Sequence, residues 1–365
     1  MKSKIIAVAI FGVFTFSCGE NKYHYTATGN PEYIPNTEFI SYEDLSSPRF
    51  ASLKKKYQLD TIFHGEKDEL KRILLLRNWI RKVIKIDNIG PYPGDGSAES
   101  ILDEAIKGHG FHCGHYSMVQ EAVMNAYGYV SRFVRVDDSD PVTGEGHHAV
   151  NEIWLNTYHK WFMSDTKYNY HFEKNGIPLS ALEIRAEYLK NRAADIILVK
   201  GPDRIPTEVY PELKNRSKEL FARIFTWISW SKYNDEYTSY PNEHSELIVY
   251  DDDYFRSHVW MRGGKPHWAY HTIYFDSITD RKKIEWTPNT ISANIKISKD
   301  TAHIALFSSA PNLKSYQMRE SPEAAWINVD SSLAFKLKKD NAQVAFRTMN
   351  LADVSGPEYH LTISR

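Results

Sequence analysis

The chain carries only 2 cysteines in 365 residues. Small secreted domains that depend on disulfides carry many more, so that class is excluded. One cysteine, Cys18, closes an apolar leader. If it is lipidated or removed, Cys113 stands alone and no intrachain disulfide can form. Charge of one sign is also missing. The net charge of -1 leaves no basic surface for nucleic acid. After the leader, no segment is long and apolar enough to span a bilayer. Aromatics, in contrast, are plentiful, with Tyr 23, Phe 17 and Trp 9. With 42% hydrophobic residues they can fill the cores of two domains, and they can also line clefts for peptides or sugars.

The leader is Met1-Lys2-Ser3-Lys4, an apolar run from Ile5 to Phe16, then Ser17-Cys18. A basic start and a dozen apolar residues read as a secretory signal peptide. The small residue before Cys18 resembles a bacterial lipoprotein signal, in which that cysteine is acylated and becomes the N-terminus. Thr15 and Phe16 depart from that pattern. An ordinary signal peptide with an incidental cysteine is the alternative. The lipoprotein reading implies a cell-envelope protein, periplasmic or surface-exposed, held to the membrane through a lipid on Cys18.

Four segments are expected: signal peptide 1–18, a polar tether 19–45, a catalytic domain with a helical extension 46–240, and a β-sandwich 241–365. Ser47-Pro48 opens a helix over 49–57. The recurrence of Leu70, Ile73, Leu74, Trp79, Ile80 and Ile84 predicts a helix over 66–85. A short helix is expected over 97–106, and another from 118 to 127, stopped by Gly128. Strands are expected over 130–136, 148–155 and 160–165. Helices follow over 178–191 and 212–230. From residue 247 short alternating runs separated by turns suggest the sandwich.

Cys113 lies in Gly110-Phe111-His112-Cys113-Gly114-His115-Tyr116-Ser117, at the start of its helix. There the helix dipole favours the thiolate. Downstream come His148, in Gly146-His147-His148-Ala149-Val150-Asn151-Glu152, and Asp165, in Lys160-Trp161-Phe162-Met163-Ser164-Asp165-Thr166. A thiol, a histidine to deprotonate it and an acid to orient that histidine make an acyl-transfer set. If 156–159 form an unpaired loop, Leu155 faces Lys160, Val150 faces Asp165, and His148 is diagonal to Asp165 on one face. Strand alternation turns His147 to the other face.

His112 and His115 are candidates to line the cleft, with an exposed polar surface as the alternative. Glu152 shares the face of His148 and is a weak substrate-contact candidate. A metal cluster of His109, His112, Cys113 and His115 is disfavoured, because Cys-x-His at a helix start converges poorly. Neither metal nor cofactor is needed. Asp137, Asp138, Asp140 and Glu145 lack the glycine and spacing of a calcium loop. Trp227, Trp230, Trp260 and Trp268 could form a binding platform, although core packing is the commoner use of such residues.

Around these three motifs the chain resembles the transglutaminase-like superfamily, a branch of papain-like cysteine enzymes. That family shows a Cys at a helix start with an aromatic and a small residue three and four places on, as Tyr116 and Ser117 are here. His148-Ala149-Val150-Asn151-Glu152 matches its His-Ala-Trp motif, and Asp165-Thr166 matches its closing Asp-Pro/Ala-Thr. The resemblance spans roughly 60–170. It implies an α+β fold in which the cysteine-bearing helix packs on an antiparallel sheet. Cys113 would be nucleophile, His148 base and Asp165 orienting acid, with Tyr116 near the substrate. Phe111 and Val150 stand where the family more often has Gly and Trp, which bears on cleft shape. The last hundred residues resemble appended immunoglobulin- or fibronectin-like domains. The implied activity is amide-bond hydrolysis or acyl transfer on a peptide, protein or glycopeptide. A catalytically silent lipoprotein that binds glycan or peptide on the same fold is the alternative.

Overall fold

The computed structural model describes residues 23–29, 31–137, 147–210, 216–235, 247–258, 261–262, 265–266, 275–337 and 341–364. The leader with Cys18, together with Asp138, Asp140, Glu145, Trp260 and Trp268, lies outside the described residues.

Helices Pro48–Lys56, Glu69–Val83, Ala98–Ile106 and Cys113–Ala126 each begin at a residue whose side chain accepts a backbone N–H of the first turn, namely Ser47, Asp68, Ser97 and His112. The second starts three residues later than its apolar pattern predicts. The Glu66 carboxylate takes the N–H groups of Lys67 and Asp68 at 2.7 and 2.8 Å, which fixes a turn there and leaves Asp68 as the cap.

The main sheet runs in the order Phe275–Ile278, Leu247–Tyr250, Trp227–Ser231, Ser131–Asp137, His147–Leu155, Lys160–Ser164. All its pairs are antiparallel except the edge pair of Leu247–Tyr250 with Phe275–Ile278. Leu155 faces Lys160 and Asn151 faces Ser164, so 156–159 form the loop. Both faces are covered. Ile153, Leu155 and Phe162 pack with the four helices in one apolar cluster. Val134, Val150, Trp154, Trp161 and Met163 pack on the other side with Leu182, Phe221, Phe225 and Trp286.

Three sequence expectations are corrected. The helix expected over 212–230 is instead a short helix, Lys218–Arg223, a 3-10 turn, Ile224–Thr226, and the strand Trp227–Ser231. Pairing of that strand with Val134–Asp137 overrides its helical reading. The boundary at 241 divides the main sheet, because Leu247–Tyr250 and Phe275–Ile278 belong to it. Leu247, Ile248 and Val249 are all buried, which requires a sheet covered on both faces. Nor is 19–45 a free tether throughout. His24–Thr28 pairs with Tyr359–Ser364 at a sheet edge, and Phe39 enters the core.

Beyond residue 290, two antiparallel sheets share one apolar cluster that includes Ala302, Ile304, Tyr316, Phe346 and Leu361. One sheet is Ser292–Ser298, Thr301–Phe307 and Ser332–Lys336; the other orders His24–Thr28, Tyr359–Ser364, Asn341–Asn350, Leu313–Arg319, Ile327–Val329. The sheets are pinned to the helices at Gly128, whose carbonyl accepts Asn350 Nδ2 at 2.9 Å. Gly128 has φ +75°, and a β-carbon there would lie 2.7 Å from that of Ala352, so both helix ending and docking require glycine.

Glu152 is buried in the main sheet. It accepts from Arg132 at 2.6 and 3.0 Å, from Trp230 Nε1 at 2.7 Å and from Ala181 N at 2.7 Å. Glu152→Ala strands the Arg132 charge, and urea unfolding is expected to show a loss of about 3–5 kcal/mol.

Candidate active site

Cys113 is the first residue of its helix. The strand before it, Gly110–Phe111, pairs in parallel with Lys85–Ile86, and Asp87 N donates to Phe111 O at 3.1 Å. This pairing lays the segment after residue 87 beside the cysteine. His112 caps the helix, its Nδ1 accepting Gly114 N–H at 3.0 Å. Tyr92 packs against His112 and His115 with ring centroids 4.8 and 4.6 Å apart, and the two imidazoles lie 4.0 Å apart.

His148 lies at the start of strand His147–Leu155, opposite Val136. Asp165 follows directly on Lys160–Ser164, so the hairpin register sets the pair on one face. His148 Nε2 and Asp165 Oδ2 are 3.0 Å apart, and Asp165 is fully buried. An ionised carboxylate only accepts, so Nε2 carries the proton and Nδ1 is left for the sulfur. Asp165 Oδ1 accepts Tyr168 N–H at 3.1 Å. Its backbone exchanges two hydrogen bonds with Tyr170, at 2.9 and 3.0 Å. The His148 ring is flanked by Tyr168 and Phe221.

His112, His148 and Lys167 lie near enough to the thiol to act on its ionisation. Burial alone would raise its pKa. The two histidines and the positive charge of Lys167 overturn this and pull it to about 4. Burial alone would lower the pKa of His148. The charge and hydrogen bond of Asp165, followed by those of Cys113, outweigh it and hold the imidazolium up to about 9. Both shifts act in the direction of a thiolate–imidazolium pair. Burial, then His112, pushes His115 down to about 4, so that ring is neutral.

Cys113, His112, His115, His148 and Asp165 are therefore brought together. Two weaker candidates are not. Tyr116 turns its hydroxyl onto Ile84 O at 2.6 Å in the core, because burial leaves that group no water to bond. Glu152 is consumed by the Arg132, Trp230 and Ala181 contacts and has no donor or acceptor left for a substrate. His147 pairs with Asp137 at 2.6 Å. His109 pairs with Glu104 at 2.8 Å. Trp227 and Trp230 are core residues and offer no platform.

Lys167 and Asn88 escaped the sequence reading. Lys167 is buried, with Nζ 2.7 Å from Asn88 Oδ1. Neither residue lies in a periodic element. The only trace in sequence is a lysine two places after the acid.

Residues 57–166 match the model of the transglutaminase-like superfamily. Over these residues the chain is similar to that superfamily. Among solved structures, a candidate cysteine protease from Cytophaga hutchinsonii matches at 15% identity and a TM-score of 0.26. That match covers 48% of this chain and 58% of the other. A comparison with curated proteins finds no match. All three sequence motifs fall inside or at the edge of the transglutaminase-like segment, which ends one residue after Asp165.

Iodoacetamide labelling of Cys113, followed by intact mass, is expected to stay fast as pH falls from neutral and to decline only near pH 4. A profile rising near pH 8.5, as for a free thiol, would contradict the ion pair.

Proposed function

We propose that this protein is a cysteine-dependent amide-bond hydrolase or acyltransferase acting outside the cytoplasm. The observation that carries this reading is His148 Nε2 held 3.0 Å from buried Asp165, with the same imidazole acting on the ionisation of the Cys113 thiol at the helix start. Cys113 Sγ attacks the substrate carbonyl. The carbonyl oxygen gains the negative charge, and the N–H groups at the start of the Cys113 helix, other than that of Gly114, which His112 takes, are suited to receive it. The C–N bond then breaks as His148 gives its proton to the departing amine, leaving a thioester on Cys113. Water attacks the thioester while His148 takes its proton, and the C–S bond breaks to release the acid and return the Cys113 thiolate; an amine in place of water gives transfer. Asp165 holds the ring tautomer and stabilises its cation in each half-reaction.

A peptide, protein or glycopeptide is the proposed substrate class. Lipid anchoring through Cys18 in the bacterial cell envelope is proposed from the leader alone. The two sheets beyond residue 290 are read as an immunoglobulin- or fibronectin-like sandwich, because they share one core cluster.

The test is turnover on a mixed peptide and glycopeptide library followed by mass spectrometry. Cys113→Ala and His148→Ala are each expected to lose at least about 10³-fold, and the double variant little more, because the members of such a set act as a unit. Full turnover by Cys113→Ala would refute the proposal.

A further inference from the structure

Lys167 is a buried ammonium. Among the described residues no carboxylate lies within ion-pair distance of it, and its hydrogen-bond partner is the neutral amide of Asn88. Buried charges are tolerated when something of opposite sign is near, so the lysine needs an anion. Two features of the fold supply one. Lys167 sits in the tight turn closed by the Asp165–Tyr170 bridge, which also carries the acid. Asn88 follows the strand Lys85–Ile86, whose parallel partner Gly110–Phe111 leads into Cys113. Asp87 N donates to Phe111 O at 3.1 Å, so the paired segments end one residue before Asn88 on one side and two before Cys113 on the other. The 2.7 Å contact with Asn88 therefore ties the ammonium to the segment that runs beside the approach to Cys113.

We propose that Lys167 is a positioning residue for the nucleophile: its ammonium, tied to Asn88, holds the Cys113 sulfur as an anion and balances Asp165 whenever His148 is neutral. The proposal rests on reading Cys113 as the nucleophile. Charge counting gives its content. At rest the site holds two anions, Cys113 and Asp165, and two cations, His148 and Lys167. After acylation the sulfur and the imidazole are both uncharged, and Lys167 remains opposite Asp165. Without the lysine, the acylated state would leave the buried Asp165 carboxylate with its hydrogen bonds from His148 and Tyr168 but no opposing charge, which is costly. The field of Lys167 at Cys113 acts in the same direction, and the field of Cys113 and Asp165 opposes the loss of the lysine proton that burial favours.

The test is the pH profile of Cys113 alkylation by iodoacetamide in the full chain, which needs no substrate. For Lys167→Met the midpoint is expected to rise by about one unit, a roughly tenfold loss of thiolate on the acid side. Lys167→Arg, which keeps the charge, is expected to stay near wild type. A merely structural lysine would change thermal stability but not the midpoint. If Lys167→Met does not fold, Asn88→Ala takes its place and is expected to give a smaller rise. An unmoved midpoint in the variant used overturns the proposal, as does a Lys167→Arg profile as high as that of Lys167→Met. An ordinary thiol profile in the wild type would instead contradict Cys113 as nucleophile, and this proposal with it.

Discussion

Asp165 is shut away from water, and a buried carboxylate is tolerated only when hydrogen-bonded and balanced by charge. The pairing of His147–Leu155 with Lys160–Ser164 meets that demand by bringing His148 Nε2 within 3.0 Å. A slip of one residue in this hairpin would send the imidazole to the opposite face and leave the acid stranded. The fold thus has an energetic reason to hold the register that the chemistry needs. His112, the imidazole of His148 and Lys167 together pull the pKa of the Cys113 thiol down despite its burial.

Much of this was legible in sequence because it follows short-range rules. The hairpin register came from counting residues between Leu155 and Lys160. The helix stop at Gly128 came from the chirality of its backbone. Strand alternation put His147 and His148 on opposite faces, the hairpin register chose His148, and the two take different acids, Asp137 and Asp165. The segments that were misread depend on partners far away in the chain. Trp227–Ser231 becomes a strand because the edge of Ser131–Asp137 is available to it. Leu247–Tyr250 looks like one more short strand of a C-terminal domain until its pairing with Ser229–Ser231 is known. His24–Thr28 has nothing to pair with locally and finds Tyr359–Ser364 at the far end of the chain.

The site residues divide along the same line. Glu152 and Tyr116 have the right positions in their motifs, but an arginine at 132 and a carbonyl at 84 claim their polar atoms. Lys167 has no motif, yet the turn after Asp165 carries it to Asn88, which follows the strand paired with the one leading into Cys113. Spacing along the chain specifies which backbone face a residue occupies. Whether its side chain is free for substrate is decided by what else is buried beside it.

The most direct measurement is the protonation state of His148, followed by NMR of the imidazole nitrogens across pH in the wild type and in Asp165→Ala. The account predicts that the wild-type ring stays protonated up to about pH 9 and that removal of the carboxylate lowers this value. A ring that titrates at the same pH in both proteins would contradict it.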